Sequence, residues 1–200
     1  PSNSSAASDV YKRQVFLQGI AGIGKSELAK AYAKTHSKEY TNILYLSYTG
    51  DLKQDISDMD FADDLPDDDS EERFRKHNRF LRTLKEDTLF IIDNFNTTAT
   101  QDGLLSVVMK YRCRILFTTR SSFNNYTSMN LEEIADTDAL VNLMGCFYSE
   151  AEKNRPVLEQ IIQAVHSHTL AVEMSARLLE SGIMEPLLLL KKLKEEKAAL

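Results

Sequence analysis

No apolar run in this chain approaches the ~20 residues that a membrane span needs, and no basic segment leads into an apolar core as in a signal peptide. The expectation is a soluble, cytoplasmic protein that makes no membrane contact. Cysteine is scarce: only Cys113, in an apolar run, and Cys146, in a predicted helix, are present. They lack CxxC spacing or a neighbouring histidine, so both read as core thiols rather than metal ligands. Clustered lysine and arginine are missing as well, and a net charge of −6 with a pI near 5.3 argues against direct nucleic-acid contact. The acid is concentrated instead, with eleven Asp or Glu between Asp51 and Glu72 against Lys53 alone. That stretch lacks the mid-loop glycine and spaced glutamate of an EF-hand, so it reads as a solvated surface insertion. Glycine is sparse too, and three of the seven stand within Gly19–Ser26.

From Val15 onward, short apolar runs alternate with amphipathic stretches, the pattern of a parallel sheet covered by helices. Strands are predicted over Val15–Gln18, Asn42–Ser47, Thr88–Asp93, Arg114–Thr118 and Met129–Glu132; near-continuous Ile, Leu and Phe suits burial on both faces. Helices are predicted over Lys25–Thr35, Glu71–Lys85 and Leu104–Lys110, the second announced by Asp69 with Glu72 three residues on. After Asp136 the strand signal stops. Helical segments follow at Asp138–Cys146, Ser149–Glu152 and its continuation, Pro156–Ser167, Leu170–Glu180 and Pro186–Lys197, with an apolar stripe from Leu158, Ile161, Ile162 and Val165 to Leu170, Val172, Met174, Leu178 and Leu179. The expected organisation is an α/β domain over 15–135 and a small, incomplete helical subdomain over 136–200.

Gly19-Ile-Ala-Gly22-Ile23-Gly24-Lys25-Ser26 matches GxxxxGK[ST] and lies directly between a predicted strand and a predicted helix. A loop that wraps a phosphate needs inward-pointing backbone N–H groups and dihedrals that a Cβ resists, which Gly22 and Gly24 supply. Lys25 brings a point charge to the β- and γ-phosphates, Ser26 Oγ can ligate Mg²⁺, and the helix start adds its positive end. The expected nucleotide contacts are Gly19, Gly22, Ile23, Gly24, Lys25, Ser26 and Glu27, with ATP or ADP and Mg²⁺ as ligands.

Magnesium in such a site is also held by a carboxylate ending another buried strand, and Asp93 closes Thr88-Leu-Phe-Ile-Ile-Asp93. The metal set is therefore Ser26 and Asp93. Asn94 follows where many ATPases carry a second acid; an amide cannot accept the proton of an attacking water, so slow hydrolysis is expected. Arg120 ends the run Arg114-Ile-Leu-Phe-Thr-Thr-Arg120 at the same sheet edge. With Asp93 it is the candidate for catalysis, placed to sense a γ-phosphate. His36, His77, His166 and His168 have no acid or nucleophile at useful spacing and read as surface or satisfied histidines.

In that order, the phosphate loop, Leu89-Phe-Ile-Ile-Asp-Asn and Arg114-Ile-Leu-Phe-Thr-Thr-Arg resemble the nucleotide-binding core of the STAND class, the signalling ATPases that include NB-ARC domains. The resemblance runs from Val15 to about Glu180. Ser167-His-Thr-Leu-Ala-Val resembles that family's Gly-Leu-Pro-Leu-Ala-Leu, with Thr169 in place of the proline that packs near adenine. The resemblance implies a sheet of order 2-3-4-1-5 with a helical lid, and a regulatory switch whose nucleotide exchange toggles a larger signalling or defence protein. It also implies effector and sensor domains elsewhere in the polypeptide and homo-oligomerisation on activation. The alternative is a productive ATPase of AAA type or a small-molecule kinase. A GTPase is disfavoured because neither Asn-Lys-x-Asp nor Asp-x-x-Gly follows the loop. Asp9-Val-Tyr-Lys-Arg-Gln14 resembles the translation of a transposon end used to tag sequencing libraries, so residues 1–14 are expected to be a non-native read-through, with the native gene beginning upstream of Val15.

Overall fold

The computed structural model describes residues 13–98, 101–123 and 125–198. Most of the segment expected to be non-native, residues 1–12, lies outside them. The described chain divides into two compact units, one of residues up to Ile20 with Lys25–Leu131, the other of Ala21–Gly24 with Glu132 onward.

The first unit is a five-stranded sheet in the order β2-β3-β4-β1-β5, all neighbours parallel: β1 Gln14–Gln18, β2 Asn42–Ser47, β3 Thr88–Asp93, β4 Arg114–Thr119 and β5 Ser128–Asn130. Four helices connect them: α1 Lys25–Thr35, α2 Leu52–Ser57, α3 Ser70–Thr83 and α4 Leu105–Val108. The apolar runs of β1, β3 and β4 become largely buried strands, whereas the edge strands β2 and β5, expected to be buried on both faces as well, are largely exposed because each has a neighbour on one side only. In β3, Phe90 and Ile92 enter one core layer with Phe16, Ile115 and Phe117, while Leu89 and Ile91 enter the other with Ala29 of α1. The larger layer is aromatic at its centre, where Phe16 stacks on Phe117 at 4.4 Å between ring centroids and on Phe123 at 4.3 Å.

The acidic stretch keeps most of its carboxylates at the surface, as its composition suggests, yet it is ordered. It folds as α2 and the N-terminus of α3, because its carboxylates satisfy backbone donors that would otherwise be orphaned. Asp51 accepts from the N–H groups of Lys53 and Gln54 at the start of α2, and Asp69 from that of Glu72 at the start of α3. Asp55 is buried and takes the backbone N–H and hydroxyl of Thr49. Asp64 accepts from Phe61 N and meets His77 Nε2 at 2.6 Å, while His77 Nδ1 faces the Ile56 carbonyl, so His77 has an acid partner after all. Helix α2 is six residues with only Leu52 and Ile56 as apolar anchors, too short for a periodicity signal.

The second unit is helical: α5 Thr137–Gly145, α6 Arg155–Ala164, α7 Thr169–Glu180 and α8 Pro186–Ala198. Its core joins Leu140, Val141 and Met144 to Leu158, Ile161, Ile162, Val172, Ala176 and Leu179. Asp136 caps α5 by accepting from Asp138 N and Ala139 N. Two expectations fail here. The segment after Ser149 makes turns and a 3₁₀ turn over Glu152–Asn154, and the buried face of α7 is Val172, Ser175, Ala176 and Leu179, leaving Leu170 and Met174 exposed. Cys113 is buried as expected, whereas Cys146, just past the end of α5, is exposed. No described helix is long and apolar enough to cross a membrane.

Candidate functional site

Parallel strands deliver their C-terminal ends to one edge of the sheet, and in the first unit β1, β3 and β4 end there in Gln18, Asp93 and Thr119, with Gln18 registered on Thr119. The chain leaves β1 at Gly19 and re-enters helix at Lys25. Lys25 is only 9% exposed, and its ammonium donates to the Gly19 carbonyl at 2.8 Å and the Ile20 carbonyl at 2.6 Å. Burial lowers its pKa, the positive field of Arg120 lowers it further, and Asp93 offsets part of this. Arg120 therefore stands close enough to Lys25 to repel it. Two cations converging at a sheet edge where water is partly excluded form a site that an anion would relieve.

Asp93 is the focus of three hydroxyls. Ser26 Oγ donates to its Oδ1 at 2.7 Å, Thr118 Oγ1 to the same oxygen at 2.5 Å, and Tyr45 Oη to Oδ2 at 2.7 Å. Burial opposes ionisation most strongly, but the donors from Thr118, Ser26 and Tyr45 outweigh it and hold the carboxyl below its usual range. A hydroxyl and an ionised carboxylate in contact form the hard oxygen pair that Mg²⁺ prefers. No cluster of three or more His, Cys, Asp or Glu among the described residues could cage a metal. Such a pair suits an ion that brings phosphate oxygens as its other ligands.

Behind Asp93 the chain turns sharply. Asn94 sits in the left-handed region at φ 63°, which asparagine tolerates better than most residues. Its N–H donates to Thr118 Oγ1 at 2.9 Å, its side-chain oxygen accepts from Asn96 Nδ2, and Asn96 Oδ1 accepts from Arg120 N at 2.8 Å. Phe95 N donates to the Thr118 carbonyl and Thr119 Oγ1 to the Phe95 carbonyl, so the turn after β3 is stitched to the end of β4. The backbone at Arg120 is thus tied to the turn that follows Asp93.

The profile of the NB-ARC domain matches residues 6–141, more than half of the chain. The chain belongs to the NB-ARC family. Among curated proteins none matches it. A solved chain from "Structure of Drosophila ORC bound to DNA" is similar in fold, with a TM-score of 0.58 at 14% identity over 100% of this chain and 67% of that one. The sheet of order 2-3-4-1-5 with its flanking helices is the P-loop NTPase fold, and the family is one of nucleotide-binding modules of ATPase type.

The middle of the loop, Ala21–Gly24, belongs to the second unit together with α7. His168 accepts from Ala171 N through Nδ1 at 3.4 Å, capping α7, so its Nε2 carries the hydrogen donated to the Ala21 carbonyl at 2.8 Å. Gly22 has φ +72°, and a Cβ there would lie 2.8 Å from His168 Cε1 and from Leu170 Cβ. Ile23 is buried. Glu27, expected among the nucleotide contacts, turns its carboxylate to Lys30 at 2.8 Å in the exposed part of α1. The sequence reading missed Tyr45, Thr118 and His168. Thr118 was within sight, lying one strand over from Asp93, and His168 lies inside Ser167-His-Thr-Leu-Ala-Val, whereas no motif marks Tyr45.

Proposed function

We propose that this NB-ARC domain is an ATP-binding regulatory switch of a larger signalling or defence protein, holding Mg-ATP at Gly19–Ser26 and cleaving it slowly. The observation that carries the reading is the pairing of charge at the sheet edge. Lys25 and Arg120 repel each other with only Asp93 in partial compensation, and Ser26 lies against an ionised Asp93. The first pair calls for phosphate oxygens and the second for Mg²⁺, whose part when bound is to neutralise phosphate charge. Lys25 would exchange its two loop carbonyls for phosphate oxygens. Ser26 and Asp93 would hold the ion, and Arg120 would meet the γ-phosphate. The helical segment 136–200 would act as the lid.

Slow turnover is argued from Asn94. Its side-chain oxygen is engaged by Asn96, and as an amide it cannot take the proton of an attacking water. General-base help is worth roughly 10²–10⁴-fold, so turnover should fall well below the ~10 s⁻¹ of a median enzyme. Without that help bound ATP lasts, as a signal requires. A productive AAA-type ATPase or a small-molecule kinase would need a general base there, which Asn94 does not supply.

Lys25→Ala should weaken Mg-ATP binding by about 2–5 kcal/mol, since it removes a desolvated charge from its anion; titration calorimetry checks this, and an unchanged affinity ends the assignment. Arg120→Ala should weaken ATP far more than ADP. Single-turnover hydrolysis by the wild type should take minutes, and a rate of several per second would contradict the switch reading.

A further inference from the structure

Tyr45 lies on β2, the edge strand opposite β5, in register with Ile91 of β3. Its side chain leans along the strand and donates to Asp93 Oδ2 at 2.7 Å, while the two aliphatic hydroxyls, Ser26 and Thr118, share Oδ1. The two carboxylate oxygens are therefore divided: one faces α1 and β4, the other is taken by a phenol from the edge strand. Tyr45 is 40% exposed, so packing alone does not explain a large aromatic here. The neighbouring edge position Ile43 is similarly open but bears no hydrogen-bonding group. Burial and then Asp93 raise the phenol's pKa, so it stays a neutral donor at physiological pH.

We propose that Tyr45 is a positioning residue for the metal-side carboxylate, fixing the rotamer of Asp93 through Oδ2 so that Oδ1 stays beside Ser26. The proposal rests on the reading of Ser26 and Asp93 as the Mg²⁺ pair. A carboxylate free to rotate about its Cβ–Cγ bond presents either oxygen and must be ordered when the ion arrives. One tethered at Oδ2 has been ordered beforehand, and groups that orient a metal's ligands in this way typically change metal affinity about 10–100-fold when removed. The Tyr45 hydroxyl donates to Asp93, so it acts on the metal pair through that carboxylate.

The test is Tyr45→Phe in the full chain, which keeps the ring and removes the hydroxyl. ATP binding is followed by calorimetry across a titration of free Mg²⁺, with a second arm in EDTA and the ligand-free melting temperature as a check on folding. The expected result is a rise of about tenfold in the Mg²⁺ needed for half-maximal tightening of ATP, at the lower end of that range. Affinity in EDTA and the melting temperature should stay unchanged. An unaltered Mg²⁺ requirement in a variant that binds ATP overturns the positioning role while leaving the nucleotide reading in place. Equal loss in Mg²⁺ and in EDTA also overturns it, because the hydroxyl would then serve the fold or the nucleotide. A wild type that binds ATP identically with and without Mg²⁺ overturns the reading on which the proposal rests.

Discussion

Single residues here owe their properties to what surrounds them, and the two cysteines make the point. The Cys113 thiol opens no route to solvent and burial pushes its pKa up to about 11, which suppresses the reactive thiolate. Cys146 is exposed and leans its sulfur toward the Asn142 carbonyl at 3.5 Å. Native protein treated with a thiol reagent should therefore label once, at Cys146, with Cys113 reacting only after unfolding; two rapid equivalents would contradict the burial of Cys113. Gly22 is similarly bound to its surroundings. Positive φ alone strains an alanine there, and His168 and Leu170 leave no room for the Cβ. Gly22→Ala should lower the melting temperature as well as weaken ATP, whereas Gly24→Ala, with open space around it, should act through its φ of +102° alone.

Among the elements, α2 and α3 show how an acidic sequence becomes structure. Asp51 and Asp69 cap the two helices, and Asp64 joins them by meeting Phe61 N and His77. The Phe61 N–H, followed by His77, holds the Asp64 carboxyl below its ordinary pKa. A carboxyl whose pKa is depressed by folding contributes stability that is present above its unfolded value, about 3.9, and is lost as the pH falls through the folded value. Asp64→Asn should thus melt below the wild type at pH 7, and the gap should close as the pH drops beneath about 4; a gap that persists in acid would assign the loss to packing instead. Composition marks this stretch as a surface segment, but a count of charges cannot tell which carboxylates face a backbone N–H. The helix starts at Lys25 and Thr169 and the strands at Asn42 and Thr88 were far more legible, since their apolar spacing is local.

At the scale of the whole molecule, the family assignment makes nucleotide a ligand of the folded state, and a ligand that binds only that state stabilises it by mass action. At a hundredfold excess over Kd the gain is about 2.7 kcal/mol, which for a chain of this size shifts the melting temperature by roughly 5–10 °C. ATP with Mg²⁺ should raise the melting temperature of the wild type by that amount and that of Lys25→Ala by far less; equal shifts in both proteins would place the nucleotide elsewhere. The two units each have their own core, one built on Phe16, Phe90 and Phe117, the other on Leu158, Ile161 and Val172. Truncating either core, with Phe117→Ala or Leu158→Ala, should cost about 2–5 kcal/mol in its own unit.

The phosphate loop, Asp93 at the end of its strand, the alternation of strand and helix and the family itself were determined by the sequence alone, because each is written in contiguous residues whose spacing has one structural meaning. Arg120 was legible only as a position after a strand; that its backbone is tied to the turn after Asp93 depends on Asn94, Asn96 and Thr118 meeting across β3 and β4. Tyr45 stands 48 residues before its partner Asp93, and His168 stands 147 after Ala21. Only the tertiary structure decided those pairings, since hydrogen bonds between distant segments depend on which strands become neighbours and on the register at which they pair, and no local pattern encodes either.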